Sequence, residues 1–123
     1  MGVPGANNIP GARFASLSWT DSSGAIWLFG GNGFDSAGNE ASLNDLWKFS
    51  SGEWSWMGSS IANQQGVYGT LIVPAPDNIP GSRFSGLSCT DSSGDFWLFG
   101  GFGYDSNGSQ GALKDLWKFS NGE

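Results

Sequence analysis

Two stretches of this chain repeat each other at a constant offset of 70 residues, and this repeat restricts the possible folds more than any other feature. Laying residues 1–53 on residues 71–123 gives 33 identities in 53 positions without a gap. The two copies must therefore fold alike. We predict one unit at 1–70 and a second, truncated unit at 71–123. Such boundaries are those expected of a fragment or an engineered piece of a repeat protein.

The composition favours an all-β fold. The chain has 7 Trp, 9 Phe and 21 Gly among 123 residues, and only 13% of its residues are charged. Aromatic residues suit strands and glycine suits tight turns, whereas disordered chains lack aromatics. No apolar stripe of helical period exceeds one turn, and Gly or Pro interrupts each candidate helix. The sequence therefore predicts strands throughout.

Each copy is predicted to form short antiparallel strands joined by turns. Apolar and small residues alternate along 13–20, which is the period of a strand. Gly30 and Gly31 are expected to end the second strand. In copy one we predict four strands, at 13–20, 25–29, 45–49 and 54–57. Copy two is predicted to repeat the first three of them.

The connections differ in length. Residues 21–24 and 50–53 are predicted as tight turns, whereas 32–43 and roughly 58–82 are predicted as long loops. In an up-and-down sheet the two long loops lie at the same end. Long loops gathered at one end commonly carry binding, so this end is a candidate interaction surface.

Several residues of each copy match one known motif. That motif has an Arg before the first strand, a double Gly after the second, an Asp opening the third and a Trp in the fourth. The chain thereby resembles the kelch repeat of galactose oxidase-like β-propellers. Kelch units have about 50 residues, so the long loops would be insertions. The matching residues are Arg13, Arg83, Gly30, Gly31, Gly100, Gly101, Asp45, Asp115 and Trp54.

The resemblance implies four-stranded blades arranged around a channel, with the first strand innermost and the Trp-bearing strand outermost. Copy two would lack its fourth strand and leave an open edge at Phe119. Rings contain about 4–8 blades, so two blades cannot close one. We therefore expect the apolar faces to be covered either by further blades of a longer chain or by other copies in a homo-oligomer.

Aromatic and acidic residues in the predicted long loops are the candidate ligand-binding residues. Exposed aromatics could stack on a glycan or anchor a protein partner. The alternative is that they pack the loops onto the sheets. The candidates are Phe34, Asp35, Tyr68, Phe102, Tyr104 and Asp105.

Charged residues offer further candidates, each with a structural alternative. Arg13 and Arg83 could bind an anion, or could pair with Asp45 and Asp115 inside the sheet. Oxygen-bearing side chains over 32–40 could ligate Ca²⁺, but the order of a calcium loop is absent and turns are the better interpretation. Residues 21–24 with Trp27 resemble the Asp-box of sialidase propellers, and we interpret them as a hairpin.

Enzymatic chemistry has little support. The chain has no His, which excludes a His-based triad and imidazole metal sites, and its single Cys excludes a thiolate cluster. The copper chemistry of some kelch propellers needs His and a Tyr–Cys pair and is therefore not expected. Cys89 replaces Trp19 in copy two and is predicted to be a small buried residue. We expect no cofactor.

The net charge of the chain limits the classes of partner that it can bind. The net charge is −6 with five basic residues, so a nucleic-acid backbone and an anionic membrane would be repelled. No stretch of about 18 apolar residues is present. The first hypothesis is a non-enzymatic scaffold that binds a protein or glycan through its long loops. The alternative is a two-blade unit that assembles into a closed ring without a ligand.

Overall fold

The computed structural model describes residues 1–58 and 62–120, in which all regular structure is β-strand. The predicted all-β class is confirmed, and the strands form two antiparallel sheets. The first sheet contains β1 (Arg13–Phe14), β2 (Leu17–Thr20), β3 (Ile26–Phe34), β4 (Glu40–Ser50) and β5 (Glu53–Gly58). The second sheet contains β6 (Arg83–Phe84), β7 (Leu87–Thr90), β8 (Phe96–Tyr104) and β9 (Gln110–Phe119).

One edge strand of each sheet is broken in two. β1 and β2 both pair with β3, and β6 and β7 both pair with β8. The break falls where Ala15 and Ser85 adopt positive φ angles of 55° and 59°, a left-handed conformation that no strand continues through. The Ser85 N–H donates across to the Ala15 carbonyl at 2.9 Å, so the two breaks join the sheets.

The predicted loop at 32–43 is wrong, and so is the prediction that Gly30 and Gly31 end a strand. β3 runs on to Phe34 and β4 begins at Glu40. Gly30 and Gly31 have φ angles of 62° and 104° and lie at a shift in the β3–β4 register. They therefore form a bulge, which bends the strand and lets it continue. Of the two long loops that the sequence predicts, the one between β5 and β6 is present and the one at 32–43 is replaced by a hairpin.

Short polar turns close the hairpins. The Asp35 carboxylate accepts hydrogen bonds from the Ala37 and Asn39 amides, both at 2.9 Å. Ser51 and Gly52 join β4 to β5 with φ angles of 53° and 82°. Two positive φ angles are what a two-residue hairpin loop needs, because its twist then matches that of the strands. The predicted turn at 50–53 is confirmed.

The outer edges of the two sheets differ. In the first sheet β5 pairs with β4, and the N-terminal segment covers β5: the amides of Gly2 and Gly5 donate to the carbonyls of Trp56 and Trp54. In the second sheet no described residue pairs with the outer side of β9. The second sheet therefore ends one strand earlier than the first.

Each sheet has two apolar faces. One face of the first sheet is buried against one face of the second. The front face of a sheet carries Leu17 and Phe29 or their counterparts 70 residues later; the rear face is the opposite one. The core lies where the front of the first sheet meets the rear of the second: Leu17, Trp19, Phe29, Phe96 and Leu98.

The described part of the β5–β6 connection is bonded within itself, to β4 of the first sheet and to the turn between β8 and β9 of the second; the Asn63 amide donates to the Ser42 carbonyl at 2.8 Å. Val67 and Ile79 form an antiparallel bridge, and the Gly66 amide donates to the Asp105 carbonyl at 3.0 Å. The Ser82 amide donates to the Gln64 carbonyl at 2.8 Å. The structure contains, in the residues it describes, no helix with the length and apolarity needed to cross a bilayer.

Candidate interaction site

The front face of the second sheet is apolar and uncovered. Its side chains Leu87, Phe99 and Leu116 are 71%, 44% and 62% exposed. The counterparts of the first two in the first sheet, Leu17 and Phe29, are only 2% and 6% exposed because the second sheet lies over them. The same residue types at the same register are therefore buried in one sheet and open to solvent in the other.

Cys89 belongs to this front face and is exposed, so the prediction of a buried cysteine is wrong. Its register partner is Trp97, as the register partner of Trp19 is Trp27. The position itself is a packing position, since Trp19 is buried in the first sheet. Cys89 is exposed because nothing in the described chain covers this side of the second sheet.

The rear face of the first sheet is the second uncovered apolar surface. Ile26 is 45% exposed, whereas its counterpart Phe96 is buried in the core. Trp54 packs on Phe49 and Trp47 with ring centroids 5.0 and 6.4 Å apart, which extends this face to the outer strand. The chain thus presents an open front at one end and an open rear at the other.

Aromatic stacking and an indole hydrogen bond add to the contact between the two sheets. Trp19 stacks on Phe96 with centroids 5.4 Å apart and an interplanar angle of 13°. Its indole N–H donates to the Trp97 carbonyl at 3.1 Å. Trp27 packs edge-on against Phe96 at 5.6 Å. A buried indole with its N–H satisfied is a strong packing element.

Both arginines of the repeat are held inside their own sheets. The Arg13 guanidinium binds both carboxylate oxygens of Asp45, and Arg83 binds those of Asp115 at 2.6 and 2.8 Å. Arg83 is fully buried and also donates to the carbonyl of Gly100. Each arginine is thus paired with an aspartate inside its sheet, as one of the two predicted alternatives had it, rather than being open to an anionic ligand.

The hairpins at 21–24 and 91–94 are built on a carboxylate that accepts several hydrogen bonds. The hydroxyl of Ser23 and the indole N–H of Trp27 both donate to Asp21 and lower its pKa to about 2. The Trp97 indole likewise lowers the pKa of Asp91. These bonds anchor a tryptophan to each turn, which gives the hairpins a structural role.

Tyr68 reaches the Arg83–Asp115 pair from the connection between the sheets. Its hydroxyl donates to Asp115 at 2.7 Å, and its ring packs edge-on against Trp117 at 5.2 Å. Burial, followed by the bond to Asp115, raises the Tyr68 pKa to about 12. Burial alone would raise the pKa of Asp115, but bonds from Arg83, Trp117 and Tyr68 outweigh it and lower that pKa to about 2.

The predicted ligand-binding residues do not form one cluster. Phe34, Phe102 and Tyr104 lie in strands rather than in a long loop, and Asp35 and Asp105 close turns with their carboxylates. Tyr68 is engaged with Asp115 as described above. Phe102 lies in an aromatic cluster with Phe84 and Phe14, which were not among the candidates: Phe84 lies 6.4 Å from Phe14 and 5.6 Å from Phe102.

An open cleft of about 300 Å³ lies between the sheets at their outer side. Its apolar lining comes from both sheets, and two carboxylates stand at its border. Lys118 lowers the pKa of one of these, Asp95, through a contact of 2.8 Å. The lining residues are Asp21, Trp27, Leu46, Met57, Gly94, Asp95, Phe96, Phe119 and Ser120.

The described residues contain no group of three or more His, Cys, Asp or Glu side chains that could hold a metal ion. A scan against protein-family models finds no match for this chain, and a search of the curated proteins finds none either. Sequence reasoning anticipated that the aromatic strands need a cover but did not single out Leu87 and Leu116. Their alignment with Leu17 and Leu46 at the offset of 70 was the signal available.

Proposed function

We propose that this chain is a non-enzymatic assembly module whose two sheets act as propeller-like blades and stack front to rear on further copies. The observation that supports this most is the open front face of the second sheet. Its residues Leu87, Phe99 and Leu116 match a set that the second sheet covers in the first. Exposed apolar patches of this kind mark interaction surfaces.

The cover that fits best is the rear face of another copy. That face carries Ile26 and Leu28 at the positions of Phe96 and Leu98, which already pack on a front face within the chain. Such a contact joins different surfaces of the two chains and is therefore heterologous. It closes into a ring when the rotation per chain permits, and a ring of about 4–8 blades needs about two to four chains.

The first test is the native mass by light scattering or sedimentation. We expect a discrete multiple of the chain mass, and we expect Leu87→Lys to reduce it to the monomer, because a charge would be buried at the joint. Leu71→Lys is the matched control. It adds the same charge, and Leu71 is exposed but lies outside this face. A monomeric wild-type chain at the highest concentration measured would contradict the proposal.

Mixing variants tests the heterologous geometry. Ile26→Lys spoils only the rear face and Leu87→Lys spoils only the front face, so each variant alone should be monomeric. Their mixture keeps one intact front and one intact rear, and it should give a one-to-one complex that grows no further. If the mixture stays monomeric while the wild type associates, the contact is not front to rear.

A second candidate function is binding of a glycan or protein partner near the inner strands. The phenylalanine cluster of Phe14, Phe84 and Phe102 supports it, since Phe14 and Phe102 are 60% and 41% exposed. Phe102→Asn tests it with little risk to the fold, because the counterpart of Phe102 is Asn32 in the same register. Glycan-array or pull-down signal should fall in this variant; an unchanged signal would exclude the cluster.

A further inference from the structure

An asparagine followed by a glycine occurs at two places in the described chain, and the surroundings of the two places differ. Asn32 lies inside β3, and the glycine after it, Gly33, pairs with Arg13 on one side and with Ala41 on the other. Asn107 and Gly108 lie at the tip of the hairpin between β8 and β9, and both are exposed. The same dipeptide is therefore held within a sheet at one place and open to solvent at the other.

An Asn–Gly pair carries its own nucleophile and its own leaving group. The main-chain nitrogen of the glycine attacks the side-chain carbonyl carbon of the asparagine, loses its proton to water or hydroxide, and the side-chain amide leaves as ammonia. Water then opens the resulting cyclic imide at either carbonyl, which gives aspartate or isoaspartate. Glycine favours the attack because it has no side chain beside its nitrogen and adopts a wide range of backbone angles. Water is the only co-reactant.

The bonds of the second hairpin hold the Gly108 nitrogen less closely than the rest of the turn. The Asn107 and Ser109 amides donate to the Asp105 carboxylate at 2.8 and 2.9 Å. The Gly108 amide donates to the Asp105 carbonyl at the longer distance of 3.2 Å. An exposed turn opens at little cost in free energy, whereas a strand paired on both sides must first unpair. The nitrogen of Gly108 is therefore the more readily released for attack.

We propose that Asn107 is a site of spontaneous covalent modification, at which the Asn107–Gly108 bond converts to an isoaspartyl linkage while Asn32 stays intact. The linkage adds one carbon to the main chain at the tip of the hairpin and one negative charge close to Asp105. The turn then cannot keep all its bonds to Asp105, whose carbonyl also accepts from the Gly66 amide at 3.0 Å. The modification therefore loosens the contact between this hairpin and the β5–β6 connection.

Peptide mapping of the full chain, aged at neutral to mildly alkaline pH, tests the proposal. Trypsin cuts after Lys and Arg, so Asn107 is the only asparagine of peptide 84–114, whereas Asn32 lies in 14–48 and the Asn–Gly pair at 121–122 falls in a third peptide. We expect peptide 84–114 to gain about 1 Da and to separate into two products. One product should accept a methyl group from an isoaspartyl methyltransferase, which recognises the free α-carboxylate.

The rates at the two asparagines are then compared. Conversion at Asn107 should be at least about tenfold faster than at Asn32, because only Asn32 requires a strand to unpair. Fragment spectra locate the change within peptide 14–48, which contains further asparagines. Comparable rates at the two positions, or a peptide 84–114 that stays unchanged, would overturn the assignment.

The first hairpin supplies matched variants. Ala37 takes the position of Asn107 and forms the same turn: its amide donates to the Asp35 carboxylate at 2.9 Å, and the Gly38 amide donates to the Asp35 carbonyl at 3.1 Å. Asn107→Ala should therefore fold as the wild type does and give no product in peptide 84–114. Ala37→Asn should create a second site, with a new product in peptide 14–48. Failure of Ala37→Asn to react would show that this turn does not promote the reaction and would refute the proposal.

Discussion

Arg83 shows how a fully buried charge is tolerated in so small a sheet. Its guanidinium donates to two main-chain carbonyls and to both oxygens of Asp115. Asp115 in turn accepts from the Trp117 indole and the Tyr68 hydroxyl. Buried ion pairs are stable only when such further hydrogen bonds satisfy the remaining donors and acceptors. The pair therefore depends on its neighbours, and Tyr68 is the one contributed by the connection.

We predict that Tyr68→Phe destabilises the chain by about 1 kcal/mol at pH 7, because one hydrogen bond to Asp115 is lost. The pH dependence should change as well. The folded pKa of Asp115 lies at about 2, below its ordinary value of 3.8. Its stabilisation of about 2 kcal/mol is therefore complete above pH 4 and is lost as the pH falls through 2.

Removing the hydroxyl raises the folded pKa of Asp115 and leaves less stabilisation to lose on acidification. Urea unfolding followed by tryptophan fluorescence should show the two proteins differing at pH 7 and converging near pH 2. Tyr104→Phe is the control, since the Tyr104 hydroxyl makes no hydrogen bond to any described residue. A constant difference between wild type and Tyr68→Phe from pH 7 to 2 would show that Asp115 is not the group involved.

Sequence reasoning reached part of this arrangement. The pairing of Arg13 with Asp45 and of Arg83 with Asp115 was one of the two predicted alternatives, because a guanidinium suits a buried carboxylate. The role of Tyr68 was beyond reach, because a residue in a long connection has no period or register that fixes its partner. The sequence predicts Tyr68 either as a ligand contact or as a residue that packs its loop onto the sheet, and the structure shows the second, with the ring on Trp117.

At the scale of the element, the double glycine bulge decides how β3 meets its surroundings. A Cβ on Gly30 would lie 2.7 Å from the Arg83 carbonyl of the other sheet and 2.9 Å from the Leu43 carbonyl of its own. A Cβ on Gly100, the counterpart, would meet only the Leu113 carbonyl at that range. Both glycines have positive φ, so only the contact between the sheets distinguishes them.

We predict that Gly30→Ala destabilises the chain more than Gly100→Ala. Both substitutions carry the cost of a left-handed alanine, about 1–2 kcal/mol. Only Gly30→Ala also forces the two sheets apart. Thermal or urea unfolding of the two variants in parallel gives the comparison. Equal losses would mean that the sheets are not in close contact at the bulge.

The bulge also shows which parts of the secondary structure can be predicted from the sequence and which cannot. Turns at 21–24 and 50–53 were recognisable because their residues favour positive φ or accept local hydrogen bonds. Gly30 and Gly31 were misread because a glycine pair with positive φ either ends a strand or bends it. Pairing with Leu43 across the hairpin decides between the two, and that pairing is a property of the folded sheet.

At the scale of the whole molecule, the joint inside the chain and the proposed joint between chains differ at the aromatic stack. Inside the chain Trp19 stacks on Phe96. Between chains the same positions hold Cys89 and Ile26, both smaller. The repeat predicted that the faces need covers, but only the folded structure shows which sides face one another. The joint between chains should therefore be the weaker of the two.

The double variant Cys89→Trp with Ile26→Phe should restore the internal stack at the joint between chains. A buried aromatic pair adds about 0.5–1.5 kcal/mol beyond its area, so we expect a dissociation constant about tenfold lower. Sedimentation across a dilution series measures it. Cys89→Trp alone should gain less, because Ile26 offers no ring to stack on. A double variant that associates no more tightly than the wild type would show that Cys89 and Ile26 do not face each other across the joint.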